Sequence, residues 1–358
     1  MKVCFFGPYN MEHMNSLLKK KLELKSIEIL ECQEEVHNNF LKLISAYVKL
    51  FFKHWKLKYD VVIIPRWRGS LALPLIKIIS KKPILFYSYS SAYDVLISDS
   101  KIFKPNSLIG KLIYYYYKWT LKLSDLVIKE TNMEIDYNVT KFHTEKKKFR
   151  RVFLGADESL FPCCSFKKPS KNFIILYFGL FHSFHGVDVI IEAAKKLSEH
   201  NEILFKFCGG GKGKKTMERL AATYKLKNVE FLGFVKYETL KKNINQSDVC
   251  LGLFGDEPRA SRVITNKVFQ ILCSQKPLIT RYSEAIVEAG MVNKKNCILI
   301  PSKNSEKLAE AILYLKNNET KRREIAETGH QLYLERFSMR QTSETIVKIL
   351  NELTNKKN

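Results

Sequence analysis

Short runs of aliphatic and aromatic residues recur along the whole chain. In the first half they are "KVCFF" from Lys2, "SIEIL" from Ser26, "DVVIIP" from Asp60, "PILFY" from Pro83 and "DLVIK" from Asp125. In the second half they are "NFIILYFG" from Asn172, "ILFKFCG" from Ile203, "VEFLG" from Val229, "DVCLGLFG" from Asp248, "PLIT" from Pro277 and "CILIP" from Cys297. Their length and continuity suit strands buried on both faces. Between most of them apolar residues return every three or four positions, as in Val187 to Leu197 and Lys307 to Leu315, the spacing of one helix face. Strand and helix alternate, which predicts doubly wound parallel sheets. The runs fall into two sets around Leu154 to Asn172, where Pro162 and Pro169 interrupt a stretch without a clear period. The pattern therefore predicts an α/β chain of two Rossmann-like domains, 1–160 and 173–338, with a linker at 161–172 and a last helix, 339–358, packing back toward the first domain. Two such domains facing each other would line a central cleft with strand carboxyl ends and helix N-termini.

Composition narrows the classes. With 358 residues, 46% hydrophobic and 27% charged, the chain can bury two cores and is neither disordered nor of low complexity. The opening "MKVCFFGPYN" is too short an apolar run for a signal peptide, and no stretch approaches the roughly 18 apolar residues of a membrane span. A cytoplasmic location is the expectation. The eight cysteines have no framework spacing, so reduced, mostly buried thiols are expected.

Charge adds a partner class. Sixty Lys and Arg against 36 Asp and Glu give a formal +24, which favours nucleic acid, anionic lipid or phosphorylated substrates. Asn38 to Tyr93 alone holds ten bases and one acid. Within it, Phe40 to Trp55 reads as a helix with Phe40, Ile44, Tyr47, Val48, Phe51 and Trp55 on one face and Lys42, Lys49, Lys53 and Lys56 along another stripe. That pattern suits a helix lying in an anionic membrane surface, and equally a core helix with a solvated lysine face.

Candidate chemistry gathers in the second half. After its first strand, Gly179, His182, His185 and Gly186 form a turn into a helix; after its second, Gly209, Gly210, Gly211 and Gly213 interleave with Lys212 and Lys214. Glycines at strand-to-helix turns let backbone N–H groups approach an anion, and a helix N-terminus favours it, so a phosphate cradle is the reading beside a plain surface turn. The stretch "RVITNKVFQILCSQKPLIT", Arg262 to Thr280, carries a short amphipathic helix that opens on Thr265, Asn266 and Lys267. Thr265 or Asn266 can cap it, whereas a lysine in a first turn opposes the helix dipole, and an anion bound there would explain the misplacement.

Four blocks in order, "YFGLFHSFHGVDVIIEAAKKL", "CGGGKG", "VEFLGFVKYETLKKNINQSDVCLGLFG" and "RVITNKVFQILCSQKPLITRYSEAIVEAG", resemble the nucleotide-sugar domain of glycosyltransferase family 4. "LKLSDLVIKETNMEIDY" and "VFLGADESLFPC" are similar, more weakly, to blocks of its first domain, and the likeness runs from Lys2 to about Leu350. The resemblance implies a GT-B fold and a retaining, metal-independent hexosyltransferase that moves a sugar from a UDP- or GDP-linked donor to a lipid-linked or cell-surface glycan, as in capsule or lipopolysaccharide assembly. It would work as a peripheral protein at the inner membrane face, with no cofactor and no nucleic-acid partner. It also implies site residues: Gly179, His182, Gly209, Gly210, Gly211, Lys212, Gly233, Phe234, Thr265, Asn266 and Gln270 at the donor, with Lys267, Arg262 and His185 as the catalytic cations. Gly7, Asn10, Arg66 and Asp94 are the candidates on the acceptor side.

The departures from the family pattern are specific. Leu180 and His185 stand where an Arg and a Lys usually neutralise the donor diphosphate, and Arg262 and Gln270 replace the two glutamates of its EX7E pair. Gln270 keeps hydrogen-bonding ability without charge, and Lys267 is placed to act as a compensating cation. No Asp-x-Asp motif is present to hold a metal, Asp256-Glu257 being the nearest candidate. These losses keep two other readings open: a nucleotide-sugar epimerase or hydrolase, and a GT-B protein that binds a nucleotide sugar or nucleic acid without catalysis.

Overall fold

The computed structural model describes residues 1–9, 13–35, 40–55, 57–65, 70–99, 102–164 and 170–355. The chain divides into two compact units, one of residues 1–153 with 340–358 and one of 154–339. Each is built on a six-stranded, all-parallel sheet, the two-domain α/β architecture expected of the alternating pattern.

In the first unit the strands are β1 (Lys2–Tyr9), β2 (Glu28–Glu35), β3 (Val61–Pro65), β4 (Ile84–Tyr87), β5 (Leu126–Lys129) and β6 (Phe149–Arg151), in the order β2-β1-β3-β4-β5-β6. Alternation within each strand sends side chains to two separate cores. One face carries Cys4, Phe6, Val62, Ile64, Phe86 and Val127, covered by α2 (Phe40–Trp55), α3 (Leu73–Ile79), α4 (Leu108–Leu123) and α5 (Asn132–Phe142). The other carries Val3, Phe5, Val61, Ile63 and Leu85, covered by α1 (His13–Glu23) and by Ile346, Ile349, Leu350 and Leu353 of the last helix of the chain, Met339–Asn355. Arg150 on β6 forks onto the carboxylate of Glu352 on that helix and fixes its position along the sheet edge.

In the second unit β7 (Phe173–Leu180), β8 (Ile203–Gly210), β9 (Val229–Gly233), β10 (Val249–Leu251), β11 (Leu278–Arg281) and β12 (Ile298–Ile300) lie in the order β12-β11-β10-β7-β8-β9. Between them run α6 (Val187–Lys196), α7 (Lys214–Thr223), α8 (Tyr237–Gln246), α9 (Asn266–Cys273) and α10 (Glu284–Glu288), followed by α11 (Ser305–Asn317) and α12 (Glu319–Arg336). The order reverses at β7, between β10 and β8, which is where a doubly wound sheet opens a crevice beyond its strand carboxyl ends. All eight cysteines are free, six of them buried, with Cys163 exposed and Cys164 half-buried.

One device recurs in both units. Asp60, Asp125 and Asp248 stand directly before β3, β5 and β10, and each carboxylate accepts the backbone N–H of a neighbouring strand: Lys2 at 2.8 Å, Ile84 at 2.8 Å and Ile174 at 2.7 Å. Each aspartate also donates its own N–H to the carbonyl of that same partner residue, at 2.9, 3.0 and 2.9 Å. The two bonds clasp the strand starts and fix register there, with an ionised acceptor as the stronger partner. Asp248→Ala is expected to cost about 1.5–3 kcal/mol, the usual worth of a hydrogen bond to a charged group. A urea midpoint unchanged at constant m-value would show that the clasp does not carry that weight.

Candidate functional site

The strand ends of the second unit set the stage. Gly179 and Gly209 are neighbours across β7 and β8 and adopt φ of +136° and +137°, a backbone region that side chains rarely enter. A Cβ on Gly209 would lie 2.0 Å from the carbonyl oxygen of Gly179, so the two strands can close together only without side chains. A Cβ on Gly179 would in turn lie 3.1 Å from the Nζ of Lys267. The glycine turn and the opening of α9 thus meet at one amine.

Lys267 is not the exposed first-turn cation that capping rules alone suggest. Val268, Phe269, Ile271, Leu272 and Cys273 of α9 are all buried, and Lys267 is only 5% exposed with them. Its Nζ sits 3.9 Å from the centre of the Tyr177 ring and has no hydrogen-bond partner. Burial pushes the amine well below the usual lysine range. Thr265 occupies the N-cap position with extended backbone, but its hydroxyl caps nothing and is itself buried without a partner. The expected side-chain cap is therefore absent at Thr265, while its carbonyl accepts from Val268 in the ordinary way. Asn266 is the first helical residue and is half-buried.

The two histidines divide. The Nδ1 of His182 accepts the Phe184 N–H at 3.3 Å and caps the short turn Ser183–His185. The Nδ1 of His185 is buried with no partner, and burial first, then the nearby Lys267, His182 and Arg259, hold its pKa well below the ordinary histidine value. Burial thus favours the neutral imidazole of His185 and weakens the hold of the Lys267 amine on its proton in the same direction. Buried polar atoms on Lys267, Thr265 and His185 lack partners, a cost that a bound ligand or water would offset.

The glycine-rich loop is more self-contained than a simple phosphate cradle. The Phe181 N–H donates to Gly210, the Gly213 N–H to Phe181, and the Lys214 N–H to Gly211, which uses two of the amides leading into α7. Gly211, at φ +112°, and Lys212 are exposed at its tip. A Cβ on Gly210 would lie 2.8 Å from the Phe234 ring, whose residue is 75% exposed after the left-handed Gly233. Leu180 is exposed beside them. Arg262 closes the turn Pro258–Ser261 and Gln270 lies on α9, both half-buried. Arg259, which the sequence does not single out, stacks 5.7 Å from the Phe184 ring and faces His185. Tyr177 also escaped notice, although it lies two residues before Gly179 and so projects to the same strand face.

On the first unit, Gly7 has φ +128° in β1, and Asp94 is fully buried with its carboxylate accepting the Ser91 hydroxyl at 2.7 Å. Asn10 and Arg66 lie outside the described residues. No group of three or more His, Cys, Asp or Glu side chains among the described residues could hold a metal. Asp256 is exposed, and Glu257 is half-buried with one oxygen lacking a partner.

The fold has counterparts among known proteins. Residues 165–332 match the family "Glycosyl transferases group 1". An uncharacterized glycosyltransferase of Methanocaldococcus jannaschii is 25% identical over 260 residues, 72% of this chain and 67% of that protein. Among solved structures, a sucrose-phosphate synthase from Thermosynechococcus elongatus superposes with a TM-score of 0.79 at 14% identity, covering 99% of this chain and 100% of that one. The Anabaena protein Alr3699/HepE, in complex with UDP-glucose, gives 0.72 at 16% identity, covering 98% and 100%. The chain therefore has the GT-B fold, and its second unit belongs to glycosyl transferases group 1.

Proposed function

We propose that the protein is a retaining glycosyltransferase that moves a sugar from a UDP- or GDP-linked donor to a lipid-linked or cell-surface glycan, with fixed protein groups in place of a metal. The observation that carries this reading is the buried, unpartnered amine of Lys267 against the Gly179 turn, with the unpartnered Thr265 hydroxyl and His185 imidazole beside it. When the anomeric C–O bond of a donor breaks, its electron pair leaves with the nucleoside diphosphate, and negative charge grows on oxygens that need donors. An amine and a hydroxyl at the N-terminal end of α9, with the imidazole of the Ser183–His185 turn, supply them, and the helix dipole adds to their effect. The donor class draws on Alr3699/HepE, which was crystallised with UDP-glucose. Phe234 offers an exposed ring near the Gly210 loop for the base, and Gln270 an amide for the ribose diol. The acceptor class draws on the basic, apolar surface of the first unit. No helix among the described residues is long and apolar enough to cross a membrane, so the protein would meet such an acceptor at the membrane surface.

The decisive experiment is incubation with a panel of nucleotide sugars, with and without a lipid-linked acceptor. Slow release of UDP or GDP that an acceptor accelerates supports the transferase; interconversion without release would make it an epimerase, and binding without turnover a non-catalytic protein.

Lys267→Ala should lower turnover at least tenfold, equivalent to about 1.4 kcal/mol of transition-state stabilisation, in a protein that still folds. The same substitution should raise stability at neutral pH. A lysine whose folded pKa is depressed leaves the unfolded chain holding more protons, so its penalty is greatest at low pH and fades toward the free value near about 10.4. The gain in midpoint of Lys267→Ala is thus expected to shrink between pH 7 and pH 10; a constant difference would mean that the amine is charged in the fold.

Diphosphate binding should restore the charge. Titration of UDP by calorimetry in two buffers of different ionisation enthalpy is expected to show net proton uptake near neutral pH, reduced in Lys267→Ala. Binding with no proton exchange in the wild type, together with an unchanged UDP affinity in Lys267→Ala, would remove Lys267 from the anion site.

A further inference from the structure

The helices α2, α3 and α4 cover one face of the first sheet, and their outward surfaces share a composition that folding does not require. Together they contain seven lysines and no aspartate or glutamate. Val48 and Phe52 of α2 and Ile78 of α3 are exposed, and α4 presents Leu108, Leu112, Tyr115 and Trp119 in one row at 75%, 61%, 64% and 47% exposure. Positions i, i+4, i+7 and i+11 lie within a narrow arc of a helix, so this row is a second apolar stripe. It is opposite the first, on which Gly110, Tyr117, Thr120 and Leu121 are buried. Lys111, Lys118 and Lys122 run along one flank of the exposed stripe, and none of them is paired with a carboxylate among the described residues.

A cavity of about 460 Å³ opens beside this flank, lined among others by Tyr115, Lys118, Trp119, Lys122 and His143. The amine of Lys148, also in its wall, is already used to bind the carbonyls of Lys122 and Ser124 at the end of α4. Glu145, the acid in the wall, is held by Lys147. Among the described residues, the cavity's lysines without a carboxylate or carbonyl partner are thus those of α4 itself.

We propose that the exposed face of α4 is a docking surface for an anionic lipid bilayer, with Leu108, Leu112 and Trp119 entering the headgroup boundary and Lys118 and Lys122 drawing a lipid phosphate to the mouth of the cavity. Charge complementarity selects this occupant. An acid-free helix layer in which Lys111, Lys118 and Lys122 of α4 pair with no carboxylate among the described residues, beside an apolar row, attracts an anionic interface and repels a second copy of itself. Trp and Tyr at the edge of the row are the side chains that settle at headgroup depth. The inference places the surface on α4 rather than on Phe40 to Trp55 alone. In that helix Leu50 and His54 are buried, Phe51 is half-buried, and the side chains of Phe40, Ile44, Tyr47 and Trp55 lie outside the described ones. It deepens the proposed function by naming where a lipid-linked acceptor is met, and it rests on that reading for the acceptor only.

The test is sedimentation of the full chain with vesicles of phosphatidylglycerol and phosphatidylcholine, and of phosphatidylcholine alone, with UDP affinity and the thermal midpoint measured in parallel. Wild-type protein should bind the anionic vesicles at least tenfold more tightly than the neutral ones. Leu112→Ser with Trp119→Ser, and separately Lys118→Glu with Lys122→Glu, should each weaken anionic binding at least tenfold and leave UDP affinity and midpoint unchanged. Brominated lipid should quench the wild-type fluorescence more than that of Trp119→Phe. Failure of the folded wild type to bind anionic vesicles would overturn the surface, whatever UDP does. So would vesicle binding untouched by both double variants, or a vesicle-free oligomer that Leu112→Ser with Trp119→Ser dissolves. Vesicle binding by a protein that does not bind UDP would keep the surface and remove the proposed donor chemistry instead.

Discussion

The close approach of β7 and β8 at Gly179 and Gly209 is the constraint on which the rest of the second unit's site depends. With 2.0 Å between a would-be Cβ and a carbonyl oxygen, no substitution can be absorbed by a rotamer change; the strands must separate. That approach brings the Gly210 loop under Phe234 and leaves the space above Tyr177 to the side chain of Lys267. The lysine then pays for its position, since it is taken out of water with only an aromatic face for company. A cation over a ring recovers part of that cost, and the ring cannot supply the hydrogen bonds that an ammonium requires. The unit thus holds a small, local deficit of hydrogen-bond partners around one turn, and the proposed diphosphate would supply acceptors there.

Much of this architecture is legible in the amino-acid order. Apolar runs between turn residues mark eleven of the twelve strands among the described residues, and the alternation with helical periodicity gives parallel sheets without any tertiary information. The twelfth, β6, reads Phe-Arg-Arg and carries no apolar run. It forms because β5 offers an open edge and because Arg150 finds Glu352, two hundred residues later in the chain. A local pattern cannot report a bond of that range.

The site was legible by type and not by state. The glycines at 179, 209, 210 and 211 stand out as strand-to-helix punctuation, and they do sit at the strand ends. Which amides of the loop are already used depends on Phe181, whose role appears only once the loop has closed over it. Lys267 was visible as a residue at odds with the helix dipole, yet its burial follows from how α9 lies on its neighbours, and the sequence offers no measure of that. Likewise Tyr177 looks like one more aromatic in a core strand until the amine is found above its ring.

The aspartate clasps have a different consequence. They stand where the strands begin, whereas the glycine turns, Phe234 and the start of α9 stand where the strands end or just beyond. In the second sheet the Asp248 clasp therefore holds strands in step at one rim, while the opposite rim, apart from the Gly179 and Gly209 contact, carries loops that can change. Substitutions in those loops and substitutions at the clasp fall on separate sets of residues. Their effects on stability should then simply sum, so that specificity in this scaffold can drift without eroding the fold that carries it.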